Sequence, residues 1–143
     1  EADILNFVDI LVVNETEAEF ISGEKIEKIG EDAIISRLLG LGVQSVVLTL
    51  GKRGCIMKDK NHHYVIPSFD VNTVDTTAAG DTFCGALAAQ LGRGNDWEQS
   101  LIFATAASAI CVTRLGAQPS IPTEKEVNDF LEERLPGNRN FAG

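Results

Sequence analysis

The chain has 143 residues and a net charge of -9, with 44% apolar and 23% charged residues, the balance of one compact domain with a real core and not of a disordered chain. The acidic excess leaves nothing to neutralise a phosphate backbone, which argues against nucleic acid and anionic membrane and toward small-molecule partners. Cys55, Cys84 and Cys111 are odd in number and lack metal-ligand spacing, so reduced, mostly packed thiols in a cytoplasmic protein are expected.

The sequence opens at Glu1 without a basic, apolar leader, which reads as a cut end. Residues 8–13 form a short apolar run broken only by Asp9, the pattern of a strand buried on both faces of a parallel sheet and ending at Asn14. Residues 16–21 have helical character closed by Ser22 and Gly23. Residues 30–41 repeat apolar side chains at helical spacing until Gly40 and Gly42. A second β-branched run, residues 45–50, stops at Gly51, so strand, helix and strand make a crossover unit.

Residues 55–58 and 63–66 flank the polar turn 59–61 and predict a hairpin. His62 and His63 within it are adjacent on a strand, point to opposite faces, and have no partner cluster that would make them metal ligands. Small residues Ala86, Ala88 and Ala89 predict a helix from Ala79 to Gly92 and Gly94. Asp96 then caps a second helix running to about Thr113, whose stretch 101–112 is far short of the roughly 20 residues of a membrane span. Thr123, with Pro122 before it and Glu126 three residues on, starts a last helix by a capping box, and Pro136 with Gly137 stops it. Residues 1–136 thus read as one α/β unit with helices on the faces of its sheet, and 137–143 as a mobile tail.

Chemistry is concentrated in residues 75–81, where Ala78, Ala79 and Gly80 precede Asp81 at the start of a helix. Small side chains let a ligand approach first-turn amides that lie at the positive end of the helix dipole. A carboxylate beside such amides can take a hydroxyl proton while the amides hold phosphoryl oxygens. The bland alternative is that Asp81 or Thr77 simply caps the helix. No G-x-x-x-x-G-K-[ST] segment is present, so phosphate binding by a lysine-bearing loop of that type is excluded.

The segment 75–81 resembles the D-T-x-G-A-G-D pattern of the PfkB, or ribokinase-like, carbohydrate kinases, with Ala78 in place of the first glycine. Three further segments agree with that family in order and spacing: 14–17, 49–54 and 113–120. Together the four span nearly the whole chain, as the carboxy-terminal part of the family's domain. The resemblance implies a three-layer αβα, Rossmann-like fold and ATP-dependent phosphorylation of a sugar hydroxymethyl group, D-ribose giving D-ribose 5-phosphate. Fructokinase, deoxygluconate kinase and nucleoside kinase chemistry share the pattern, and an inactive nucleotide-binding fragment is the alternative of a different class.

The resemblance assigns roles residue by residue. Asp81 is the base and touches the sugar, Ala79 and Gly80 form the anion hole beside it, and Gly80 and Asp81 also contact ATP. Asn14, Thr49, Leu50, Gly51, Lys52, Arg53, Gly54 and Thr105 serve ATP, and Glu17 serves magnesium through its hydration shell. Asp75, Thr77, Cys111, Arg114, Gly116 and Ser120 hold potassium, largely through main-chain carbonyls. On local grounds Asn14 and Glu17 read equally well as a helix cap, residues 49–54 as an ordinary turn, and Gly116 as a helix stop. The resemblance also implies a missing amino-terminal half that carries most sugar contacts and the dimer lid. The whole protein is then a homodimer, and this piece has an exposed sheet edge.

Overall fold

The computed structural model describes residues 2–135. They divide into two compact units that meet in sequence at Pro67 and Ser68. The predicted helix stop at Pro136 and Gly137 and the tail 137–143 lie outside the described residues.

The first unit begins with a 3-10 turn, Ala2–Phe7, and continues through β1 (Ile10–Asn14), α1 (Glu15–Ser22), α2 (Ile26–Ile29), α3 (Glu31–Gly40), β2 (Ser45–Thr49), a 3-10 turn (Gly51–Arg53), β3 (Cys55–Lys58) and β4 (His63–Ile66). The apolar positions of α3 recur at helical spacing, so Ile34, Ile35 and Leu38 share one side and are all 0% exposed. They pack with Val13, Val46, Leu48 and Ile56 of the sheet. Burying a side chain of this size contributes on the order of 1.5–3 kcal/mol.

The strands lie in the order β1-β2-β3-β4. β1 and β2 pair in parallel with Val12 opposite Val47, because the helices between them return the chain to the same end of the sheet. β2, β3 and β4 are antiparallel, with Lys58 opposite His63 across the hairpin. Asp59 closes that hairpin by accepting the amides of Asn61 and His62 at 2.6 and 2.7 Å.

Two expectations need correction here, and one element was not foreseen. β1 stands at the end of the strand order and only Val13 of it is buried, whereas its apolar run predicted burial on both faces. α2 was not legible, because Ile26 and Ile29 alone fix its four residues. His62 lies in the turn and not on the strand, its Nδ1 3.0 Å from an Asp59 carboxylate oxygen.

The second unit is helical: α4 (Ala79–Gly92), α5 (Trp97–Val112), a 3-10 turn (Gln118–Ser120) and α6 (Glu124–Arg134). All three helices begin where their signals place them. Asp96 accepts the amide of Gln99 at 2.8 Å. Thr123 and Glu126 form the capping box, a device worth typically about 1 kcal/mol. The alanines of α4 and α5 let the two helices pack along each other. Phe103, Ala107 and Ile110 of α5 meet Val127 and Leu131 of α6 in the unit's core. Ten residues of α5 are buried, which explains its nearly unbroken apolar sequence without a membrane. Among the described residues no helix is long and apolar enough to cross one.

Candidate active site

In the second unit, α4 begins at an unusual backbone conformation. Its N-cap, Ala78, has φ 62°, and it is the non-glycine residue at positive φ among the described residues. A methyl side chain in this left-handed region costs roughly 1–2 kcal/mol, which is why glycine is the ordinary occupant. No side chain caps the helix, so the alternative in which Thr77 or Asp81 serves only as a cap does not describe this turn.

The amide of Ala79 donates to the carbonyl of Thr76 at 3.2 Å, so it is engaged locally. The Thr82 amide donates to the Ala78 carbonyl at 2.9 Å and closes the first turn. Gly80 and Asp81 fall between them, where an α-helix supplies its amides with no internal acceptor. A Cβ built on Gly80 would meet nothing within 4 Å, so no packing within the chain requires glycine there. Asp81 is exposed. With Gly85, Ala89, Phe103 and Ala107 it lines a cavity of about 240 Å³.

Two loops converge beside this turn. Asp75 accepts the amide of Thr77 at 2.8 Å with one carboxylate oxygen and that of Gly116 at 3.1 Å with the other. The amides of Val74 and Asp75 both donate to the carbonyl of Val112, at 2.7 and 3.1 Å, so the strandless segment before α4 is fastened to the end of α5. The Thr77 hydroxyl, with the Thr77 and Gly116 amides, holds the Asp75 carboxyl below its ordinary value.

Cys111 Sγ lies 3.8 Å from the carbonyl of Thr77 and 3.2 Å from Ser120 Oγ. The structure thus gathers Asp75, Thr77, Cys111, Gly116 and Ser120. Arg114 turns its guanidinium to Glu126 at 2.7 Å, which leaves its backbone in the loop. One carboxylate and several carbonyls are hard oxygen donors, and among the described residues no three His, Cys, Asp or Glu are grouped to hold a metal ion. Oxygen donors of this kind suit a hard cation and not a soft transition metal. Thr105 is 5% exposed within α5, so its side chain is not at a surface.

In the first unit, Asn14 Oδ1 accepts the Glu17 amide and Glu17 Oε2 accepts the Asn14 amide, both at 2.9 Å. This is the helix cap foreseen on local grounds. Both side chains are exposed, and each keeps polar atoms beyond those the cap uses. Thr49 donates its hydroxyl to the Val13 carbonyl at 3.3 Å. Residues 50–54 form a tight turn in which the Leu50 amide donates to the Gly54 carbonyl at 2.8 Å and Gly51 and Gly54 have φ 56° and 97°. Leu50 packs in the core, which leaves only its backbone for a ligand. Arg53 bridges Glu31 at 2.5 Å and Glu15 at 2.8 Å, a pairing the sequence did not announce.

The bonds of Ser108 and Thr82 were also missed. The Ser108 hydroxyl donates to the Ala79 carbonyl at 3.2 Å, and that of Thr82 donates to Cys111 Sγ at 3.4 Å. Only the placement of Thr82 next to Asp81 was a signal for either.

Comparison with known proteins bears on this arrangement. The sequence pattern of the pfkB family carbohydrate kinases matches residues 2–124. A ribokinase of Staphylococcus aureus (strain COL) is 41% identical over 130 residues, 88% of this chain and 42% of its own length. Fructokinase-1 of Zea mays is 39% identical over 132 residues, 87% of this chain and 40% of its own length. The Arabidopsis thaliana ribokinase solved with ribose and ATP superposes with a TM-score of 0.85 at 34% identity, over 92% of this chain and 43% of that one. The chain therefore spans about two fifths of the length of each of these three relatives, and its mixed α/β architecture is part of the ribokinase-like fold. With the family pattern matched over most of its length, the chain belongs to the pfkB family of carbohydrate kinases.

Proposed function

We propose that the polypeptide containing this chain transfers the γ-phosphoryl group of ATP to the 5-hydroxyl of D-ribose. The observation that carries this reading is the first turn of α4. There, the exposed Asp81 carboxylate follows Gly80, which has no packing reason to be glycine, and a left-handed Ala78. In the reaction the sugar oxygen bonds to the γ-phosphorus as the bond to the bridging oxygen of ADP breaks, and Asp81 receives the hydroxyl proton. Phosphoryl transfer has a loose transition state, so alignment and charge neutralisation by the Gly80 and Asp81 amides outweigh base strength.

Asn14, Glu17 and the turn 49–54 serve the nucleotide. Magnesium, held through Glu17 and the phosphates, would neutralise phosphate charge. The loops of Asp75, Thr77, Cys111, Arg114, Gly116 and Ser120 would hold potassium. The site works in the cytoplasm, where ATP is available, and the complete protein is a homodimer whose remaining half supplies most contacts to the sugar. Residues 1–136 serve as its nucleotide-binding part.

Fructokinase activity is the second reading, because the maize fructokinase is nearly as similar in sequence as the staphylococcal ribokinase. A panel of sugars offered with ATP and magnesium to the complete polypeptide decides between them. D-ribose giving the highest kcat/KM supports the first reading and D-fructose the second. ATP binding without sugar-dependent ADP release defeats both in favour of a non-catalytic nucleotide-binding role.

A further inference from the structure

Thr82, Cys111 and Ser120 are 6%, 0% and 0% exposed, yet each carries a polar side-chain hydrogen that must find an acceptor. The Thr82 hydroxyl donates to Cys111 Sγ at 3.4 Å, Sγ lies 3.2 Å from Ser120 Oγ, and the Ser120 hydroxyl donates to the Ala117 carbonyl at 2.5 Å. With those two hydroxyl hydrogens placed, the thiol hydrogen faces Ser120 Oγ or the Thr77 carbonyl, the latter at 3.8 Å. A directed chain of side chains therefore runs from the residue beside Asp81, through the last turn of α5, into the loop 113–120.

We infer that Cys111 is a positioning residue, whose thiol couples the loop 113–120 to the first turn of α4 and so fixes the Asp81 carboxylate and the neighbouring amides. The inference rests on the reading of Asp81 as the base. Two physical points support it. A left-handed alanine persists only where its surroundings over-determine it, and the thiol and the Ser108 hydroxyl both tie α5 to residues 77–82. The distances also suit sulfur. An oxygen in its place would need roughly 2.7–2.8 Å to each hydroxyl partner, so serine would keep the chemistry and lose the reach.

The test uses the complete polypeptide and the variants Cys111→Val, which keeps bulk but removes the polar link, and Thr82→Val, which breaks the link from its other end. Peptide-resolved hydrogen exchange follows residues 76–83 and 114–121, and steady-state kinetics follow kcat and KM for ATP. Both variants are expected to speed exchange in both segments together, by about tenfold. Both are expected to lower kcat by about 10- to 100-fold, as small misplacements of a catalytic group do, with KM for ATP nearly unchanged. Wild-type exchange in the two segments, or faster exchange in only one, overturns the coupling. Unchanged kcat with coupled exchange overturns the positioning role. Asp81→Asn in the same assay separates the two ideas: retained turnover there defeats the base assignment itself, whereas turnover lost there but kept in Cys111→Val and Thr82→Val defeats only the role of Cys111.

Discussion

Asp75 and Gly116, 41 residues apart, are joined by a 3.1 Å hydrogen bond from the glycine amide to the carboxylate. The bond closes the loop before α4 onto the loop after α5, and the second Asp75 oxygen holds the Thr77 amide at 2.8 Å. The Thr77 hydroxyl, together with these amides, keeps the carboxyl below its ordinary value of 3.8. A carboxyl depressed by folding contributes stability that is fully present above its unfolded value and is lost as pH falls through its lower folded value.

Asp75→Ala is therefore expected to speed amide exchange at Thr77 and Gly116 at neutral pH. It should also remove the part of the acid-induced loosening of these loops that sets in below the ordinary carboxylate range. Amide exchange measured against pH in wild type and variant checks this. Identical profiles would show that the two loops do not depend on the carboxylate.

Gly80 occupies the second position of α4 with open space where a Cβ would stand. Glycine in a helix costs roughly 0.5–1 kcal/mol relative to alanine. Gly80→Ala is expected to recover part of that in stability and to lower turnover, because the methyl would intrude where we propose that a phosphoryl group approaches the amides. Chemical denaturation and kcat measured on the same sample test the opposed signs. Higher stability with full turnover would mean that the surface at Gly80 meets no ligand.

Ala78 offers the converse change. Its φ of 62° suits glycine, so Ala78→Gly should be neutral or stabilising by up to about 1 kcal/mol, although glycine gains freedom in the unfolded chain. Ala78→Val should destabilise, because branching at Cβ worsens the same conformation. Equilibrium unfolding of both variants checks the order Gly, Ala, Val. A reversed order would contradict the left-handed N-cap.

Glu126 accepts the Thr123 amide, the Arg114 guanidinium and the Thr123 hydroxyl, at 2.7, 2.7 and 2.9 Å. The Thr123 amide, Arg114 and the Thr123 hydroxyl together bring its carboxyl from 4.5 down to about 2. Its contribution to the start of α6 is thus complete above pH 4.5 and fades as pH falls toward about 2. Carboxyl NMR titration should give a midpoint near 2 in wild type and one moved toward 4.5 in Thr123→Ala. A wild-type midpoint at the ordinary glutamate value would dissolve the capping box in solution.

Much of this was legible in the residues because it is governed by local chemistry. Asn14, Asp96 and Thr123 cap the helices their side chains predict. The short β-branched runs became strands, and the polar turn at Asp59 made the hairpin. What escaped depends on distant partners. Nothing near Arg53 announces Glu15 and Glu31. Nothing near Cys111 announces that Thr82, 29 residues earlier, ends on its sulfur. The exposure of most of β1 was hidden because an apolar run reports the hydrophobicity of a strand and not what covers its faces. At the candidate site, the pattern 75–81 located the turn, whereas the left-handed Ala78 and the engagement of the Ala79 amide required the backbone itself.

In the proposed reaction Asp81 takes the sugar proton while the neighbouring amides hold the transferring group. Single-turnover phosphorylation by the complete polypeptide carrying Asp81→Asn, with ATP affinity measured on the same sample, tests it most directly. The expected result is a rate lower by about 10²- to 10⁴-fold, the usual contribution of a general base, with ATP affinity nearly intact. A rate close to that of wild type would contradict the assignment.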